Sequence, residues 1–467
     1  MSLQALAAFA LLGAINTFVA SRVNSQVTDA YMDEPFHVPQ AQAYCEGRYL
    51  HWDPKLTTPP GLYIVSNALL WPLGLLSGWS PLHTWCSMNL LRFTNLMFSP
   101  VLFWVLYRLS RTLHRREQPA AHALNALALS LFPVGYFFNF LYYTDTGSVT
   151  LVLLSYLFSL SGWHGSSALV AAFSLFFRQT NAVWIAFIAA LAIIRRLSEF
   201  DKKTGNVQQL VNTPASRTKP IDIAHALAEA IRLVFAHPLA VVRTALPYAL
   251  VLASFAAFIV WNGGIVLGDK SNHVAVTHIP QLFYFICFAV GFSAPHTLLS
   301  WRRLQDTLQS IRRRPVVFTI AVAAMIGLVH RFTYEHPFIL SDNRHFTFYL
   351  WRRVFRLHPV VKYALTPAYA VAAVHWWRAM ARSQSFIWCL GFVVALVLAL
   401  VPSPLIEFRY FILPFVLYRL HLPLASTRTL AIETGMYLAV NAGTIGLFLL
   451  RPFRWASEPN AWQRFMW

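Results

Sequence analysis

"GLYIVSNALLWPLGLLSGW", residues 61–79, is the run on whose reading the topology turns. A bilayer span needs about 20 mostly apolar residues, and this stretch nearly qualifies. Basic clusters stand at "YRLSRTLHRRE" (107–117), "RRLSEFDKK" (195–203), "RRLQDTLQSIRRR" (302–314) and "WWRAMARS" (376–383). Loops rich in Lys and Arg stay on the cytoplasmic side, so all four belong on one face. If 61–79 crossed, the 107–117 loop would be thrown to the wrong side. We therefore read 61–79 as a helix lying in, or dipping into, the non-cytoplasmic interface. Pro59 and Pro60 suit a helix beginning there, since its first turn needs no intrahelical donors. Residues 21–88 then form one long first external loop.

The wider composition agrees with a membrane setting. The chain has 467 residues, of which 57% are hydrophobic and only 12% charged, with a mean hydropathy of +0.50. Period-two strands are absent, and lipid forces every spanning backbone to satisfy its own hydrogen bonds. The expected fold class is therefore all-α and polytopic, one integral membrane domain over residues 1–467 with about 12–14 transmembrane helices. The first run, "LQALAAFALLGAINTFVAS", lacks a basic leader and a cleavage site and reads as a retained span. Residues 195–243 read as a cytoplasmic loop, and the polar insert 201–230 within it as mobile.

The formal charge of +19 points to positive-inside loops, anionic membrane lipids or an anionic substrate. Nucleic acid is disfavoured, because no basic domain stands clear of the apolar segments. Cys45, Cys86, Cys287 and Cys389 form no metal or redox motif. Cys45 and Cys86 can pair if both face an oxidising compartment.

Among only 18 acidic residues, Asp33, Glu34 and Glu46 crowd into "YMDEPFHVPQAQAYCEG" (31–47). A carboxylate before Pro35 can cap the following helix, but capping accounts for one acid and not a cluster. Arg48, His51, Asp53 and Lys55 follow in the same loop, where ionisable groups near the membrane are costly. A second cluster, "EHPFILSDNRHFTFYLWRRVFRLH" (335–358), holds His336, Asp342, Asn343, Arg344 and His345, then Arg352, Arg353 and Arg356. On this topology those arginines oppose the positive-inside trend. A phosphate or diphosphate headgroup would account for them through bidentate contacts. Arg178 in "FFRQTN", and Glu407 with Arg409 in "SPLIEFRYFILP", complete the external face. Singly these read as salt bridges or caps. Asp145 reads as a tight turn with local capping. His273 and His278 have no companion ligand and suggest no metal site.

The segments "YMDEPFHVPQAQAYCEGRY", "WDPKLTTPPGLY", "RQTN", "HPFILSDNRHFTFYLWRR" and "EFRYFILP" together resemble the dolichyl-phosphate-glucose-dependent alpha-1,2-glucosyltransferase family of the endoplasmic reticulum. The resemblance runs from about residue 15 to the closing "RFMW"; the insert 201–230 aligns to nothing. It implies a GT-C type membrane glycosyltransferase with a long first lumenal loop and interfacial helices. Its substrates would be dolichyl phosphate glucose and a dolichyl-diphosphate-linked oligosaccharide.

By that resemblance Asp33 is the catalytic base, with Glu34 its neighbour; which of the two holds the role is left open. A phosphate-linked sugar leaves as a stable phosphate and needs no acid to protonate it, unlike a glycosidase substrate. One carboxylate then suffices to take the proton of the acceptor's 2-hydroxyl. Arg344, His345, Arg409 and Arg178 are the candidates to stabilise the departing phosphate. Asn343, His336 and Glu46 suit sugar hydroxyls, and Asp342 and Glu407 complete the substrate-side set. No cofactor and no obligatory metal are expected. The rival readings are a transporter or flippase of lipid-linked sugars and a related lumenal transferase of different sugar specificity. The absence of an internal repeat argues against the transporter.

Overall fold

The computed structural model describes residues 2–78, 82–270 and 274–467, so His273 and Trp79 lie outside the described residues. The chain divides into two compact units. The first comprises Met1–Ile185, Leu250–Val274 and Thr434–Trp467, the second Ala186–Ala249 and Ala275–Glu433.

Helices dominate both, as the composition requires. By length and hydropathy five described helices can cross a membrane: Leu3–Gln26, Met88–Leu113, Pro238–Asn262, Pro315–Phe332 and Thr427–Leu450. A sixth is the broken pair Pro119–Ser130 and Pro133–Phe140, bent by 62°. Four shorter apolar helices accompany them. The all-α polytopic class therefore stands, while many of the apolar runs behind the larger expected count fold as shorter helices. A small antiparallel sheet, Phe453–Trp455 with Glu458–Gln463, is a departure from all-α that the sequence reading did not foresee.

In the first unit, Leu3–Gln26 buries a single stripe, Ala5, Ala8, Leu12, Asn16, Val19 and Val23. Their spacing of three and four residues is one helix face. Leu3, Leu6, Leu11 and Phe18 point outward, the pattern of a helix solvated by lipid. Where the helix breaks near Pro133, the carbonyls at the ends of its pieces lack intrahelical donors. Asn95 takes up those of Phe138 (2.9 Å) and Leu141 (2.7 Å), and Asn441 that of Leu131 (2.8 Å).

Gly61–Leu76 is a helix of 16 residues with Pro72 inside it. At 1.5 Å per residue it reaches about 24 Å, short of the roughly 30 Å hydrocarbon core. Leu62, Tyr63, Ser66 and Leu70 are buried, whereas Ile64, Leu69, Trp71, Leu75 and Leu76 are exposed. Its first residue must be glycine: a Cβ on Gly61 would come within 2.6 Å of the Phe176 carbonyl, to which the Gly61 N–H donates at 2.8 Å. A disulfide joins Cys45, the last residue of the helix Glu34–Cys45, to Cys86.

In the second unit the polar insert 201–230 within residues 195–243, expected to be mobile, carries regular structure, the helices Asn206–Asn212 and Pro220–Ala236. Asp201 organises it. Its carboxylate accepts the backbone N–H groups of Gly205 (3.0 Å), Val207 (2.6 Å) and Gln208 (3.3 Å), and the Thr204 hydroxyl at 2.6 Å. These include first-turn donors that a helix cannot satisfy itself. Val207, Leu197 and Leu233 then close a small apolar core, and Pro214 bridges to Ser385. Composition had hidden this, because the ordering comes from one acid and three apolar side chains.

Candidate active site

The turn between Leu3–Gln26 and Glu34–Cys45 carries the paired acids, and it gives them different surroundings. Met32 has φ of 59°, the one non-glycine residue with positive φ among the described residues. A left-handed backbone is costly for a residue with a Cβ, so the surrounding contacts must hold it. Glu34 supplies much of that hold. Its side chain is 0% exposed and paired with Arg92, itself 2% exposed. Arg92 Nε donates to Oε1 at 2.8 Å and Nη2 to Oε2 at 2.6 Å. The backbone N–H groups of Tyr142 (2.8 Å) and Tyr31 (3.0 Å) complete the carboxylate's shell. Arg92 also donates to the Val27 carbonyl at 2.7 Å.

Asp33 is only half-buried. It occupies the N-cap position of Glu34–Cys45, yet its side chain makes no capping hydrogen bond. Its backbone N–H donates to the Tyr143 hydroxyl at 3.1 Å. One turn on, His37 Nδ1 lies 2.6 Å from the Tyr63 hydroxyl, and its ring packs near Tyr143. Burial, then Tyr142 and Tyr44, and also the charge of Asp33 push the Tyr63 hydroxyl well above its ordinary pKa. Tyr63 thus stays protonated beside the acid.

Arg178 is paired with Asp145 at 2.8 Å. Asp145 opens the helix Asp145–Leu160 and is 3% exposed, so it serves a buried ion pair and not the local turn cap expected of it. Gln179 donates to the Thr57 carbonyl at 2.7 Å, tying this segment to the first loop. Glu46 pairs with Arg48 at 2.6 Å in an exposed position. Asp33, Glu34, Glu46 and Arg178 all belong to the first unit.

The remaining candidates belong to the second unit. Arg344 grips Asp342 bidentately, Nε to Oδ1 at 2.9 Å and Nη2 to Oδ2 at 2.7 Å. His345 Nε2 stands 4.0 Å from the same acid, and Asn343 lies between them in sequence. Burial acts against the Asp342 charge, but hydrogen bonds from the Arg344 side chain and backbone and the neighbouring His345 outweigh it, holding the carboxyl below its usual range. His336 caps the short helix Pro337–Ser341, its Nδ1 accepting the Phe338 N–H at 3.1 Å. Glu335 accepts from the Trp351 indole and from Arg356 Nε at 3.1 Å, so Arg356 has a local anion. Arg409 Nε pairs with Glu407. Ile406 packs with Ile339 and Trp351, which brings the segment before Arg409 against the 335–355 segment. Among the described residues no three His, Cys, Asp or Glu side chains come together as a metal site.

Four participants escaped the sequence reading: Arg92, His37, Tyr63 and Tyr143. Arg92 alone left a signal, a cation inside the otherwise apolar run "MNLLRFTNLMF", where an ionisable residue implies a buried partner.

The fold defines a helical integral membrane protein, and in each unit carboxylates and guanidinium groups pair in segments outside the long apolar helices. The profile of the DIE2/ALG10 family matches residues 27–420, and the chain belongs to that family. It is 44% identical to a mouse relative over 464 residues, covering 97% of this chain and 96% of the relative. A human relative is 41% identical with the same coverage, and one from Drosophila melanogaster is 34% identical over 454 residues, covering 96% and 95%. Each of the three is named a Dol-P-Glc:Glc(2)Man(9)GlcNAc(2)-PP-Dol alpha-1,2-glucosyltransferase.

Proposed function

We infer that this protein is a membrane glucosyltransferase that moves glucose from dolichyl phosphate glucose to the 2-hydroxyl of the terminal glucose on a dolichyl-diphosphate-linked oligosaccharide. The relatives' names support the donor, the acceptor and the linkage, and they do not favour a transporter. Mechanistically, Asp33 is the base. The observation that carries this choice over Glu34 is the closed shell around Glu34, whose oxygens take two bonds from Arg92 and two from backbone amides. An acid so engaged holds the turn; its half-buried neighbour is the one an acceptor can reach.

The reaction is a single displacement. The acceptor oxygen attacks the anomeric carbon as its proton passes to Asp33, and the bond to the phosphate oxygen breaks with its electron pair leaving on dolichyl phosphate. A β-linked donor then gives an α product by inversion. Arg178, in the same unit as Asp33, is a candidate to meet the growing phosphate charge, and Arg344, His345 and Arg409 are the second unit's candidates for it. Each of these arginines has a carboxylate partner, but a guanidinium carries five N–H donors, enough for a carboxylate and a phosphate together. Asp342 and Glu407 keep these forks oriented, His336 and Asn343 serve sugar hydroxyls, and Glu46 lies at the rim. Catalysis is metal-independent because fixed cations meet the leaving group. The enzyme resides in the endoplasmic reticulum membrane with this face in the lumen, a placement the Cys45–Cys86 disulfide supports.

The test is transfer of labelled glucose from dolichyl phosphate glucose to a synthetic acceptor by purified protein, with and without EDTA. Transfer that survives EDTA is expected. Failure of the wild-type protein to transfer, with lipid-linked sugar translocated across vesicles instead, would reverse the assignment.

A further inference from the structure

Asp33 sits on a turn outside regular structure, next to a residue in the left-handed region, and Glu34 with Arg92 holds the backbone around it. The Tyr31 side chain is held by a distant part of the chain. The Tyr31 hydroxyl donates to the Arg464 carbonyl at 2.5 Å and accepts the Arg464 N–H at 2.8 Å. Both residues are buried, Tyr31 at 6% and Arg464 at 7% exposure.

Arg464 is itself anchored. Its Nη2 donates to the Gln26 carbonyl at 2.7 Å, and its Nη1 to those of Phe448 at 2.9 Å and Leu449 at 3.1 Å. Gln26 ends the helix Leu3–Gln26, and Phe448 and Leu449 stand in the last turn of Thr427–Leu450. The last carbonyls of a helix have no intrahelical donors and carry the negative end of its dipole, so one guanidinium staples two helix ends. The Tyr31 ring adds an edge contact to Phe448, centroids 5.6 Å apart.

We propose that Tyr31 and the Arg464 segment form a strap that positions Asp33 for proton abstraction, making Tyr31 and Arg464 positioning residues of the reaction. The proposal rests on Asp33 being the base. The strap grips the Tyr31 side chain two residues before that acid, while Glu34 holds the backbone N–H of the same residue. With side chain and backbone of Tyr31 both held, the turn that carries Asp33 is pinned at its N-terminal side. Small misplacements of a reacting group are costly, about a hundredfold in rate for 1 Å.

The test is Tyr31→Phe, which removes both hydrogen bonds and keeps the ring against Phe448 and the Arg464 staple intact. Turnover is measured per donor-binding site, with binding of dolichyl phosphate glucose titrated in the absence of acceptor. A kcat lower by about tenfold or more is expected, with KM for donor and acceptor within about twofold of wild type. Arg464→Lys, which cannot fork to both helix ends, is expected to lower kcat in the same direction and the melting temperature besides. The strap is refuted if Tyr31→Phe keeps kcat within twofold, or if its loss merely follows the loss of donor-binding protein. Asp33→Asn, assayed in parallel, separates the two claims. Unimpaired transfer by that variant withdraws the base assignment whatever Tyr31→Phe does; an inactive Asp33→Asn beside a fully active Tyr31→Phe withdraws the strap alone.

Discussion

Arg92 holds both oxygens of Glu34, Nε at 2.8 Å and Nη2 at 2.6 Å, with neither side chain more than 2% exposed. Removing one partner of such a pair leaves an uncompensated charge in a low-dielectric interior, at a cost of about 3–5 kcal/mol. Arg92→Met is therefore expected to lose folded protein first, read as a fall in the yield of folded detergent-solubilised protein and in melting temperature. A variant with wild-type stability would show that Glu34 is not the anchor of the turn.

The Cys45–Cys86 bond closes a loop across 41 residues of sequence and ties Glu34–Cys45 to the segment before Met88. Constraining a loop of this size in the unfolded chain stabilises the native state by about 2–4 kcal/mol. Cys86→Ser, or reduction of the wild type, should lower thermal stability by that order and be visible in a melting curve run with and without reductant. No difference between the two curves would contradict the linkage.

Asp342 gives a pH prediction whose sign follows from its depressed carboxyl. A group whose pKa is lower in the folded state contributes stability above its unfolded value, about 3.9 for Asp, and loses it as pH falls through the folded value. The stability difference between wild type and Asp342→Asn should thus be present at about pH 5 and shrink below about 4. A difference that grows below about pH 4 would reverse the account of this pair.

Asp201 serves a different part of the chain. Asp201→Ala strips the first-turn donors of Asn206–Asn212 of their acceptor and should destabilise that segment by about 0.5–2 kcal/mol, the range for loss of a helix cap. Hydrogen exchange over 201–236 should rise while glucose transfer stays unchanged.

The legible part of this protein was chemical and local. Apolar runs announced the helices, the crowding of scarce acids in 31–47 marked the first loop, and 335–358 showed its Arg and His residues openly. What sequence withheld was pairing at a distance. Arg92 and Glu34 are 58 positions apart, Tyr31 and Arg464 433, and no periodicity reports such contacts. The same holds for Asp145, which by its neighbours reads as a turn and by its fold meets Arg178. Polar composition misled at 201–230 because disorder statistics weigh the many Thr, Asn and Lys residues and not the single buried acid that orders them.

The sharpest comparison sets Asp33→Asn beside Glu34→Gln in labelled-glucose transfer, each normalised to donor binding. Asp33→Asn should remain folded and bind donor while turnover falls by about 10²–10⁴, the range for loss of a general base; Glu34→Gln should lose folded protein, with turnover per binding site far less affected. Wild-type turnover by Asp33→Asn, or a stable Glu34→Gln that binds donor and does not transfer, would contradict the division of labour between these two neighbouring acids.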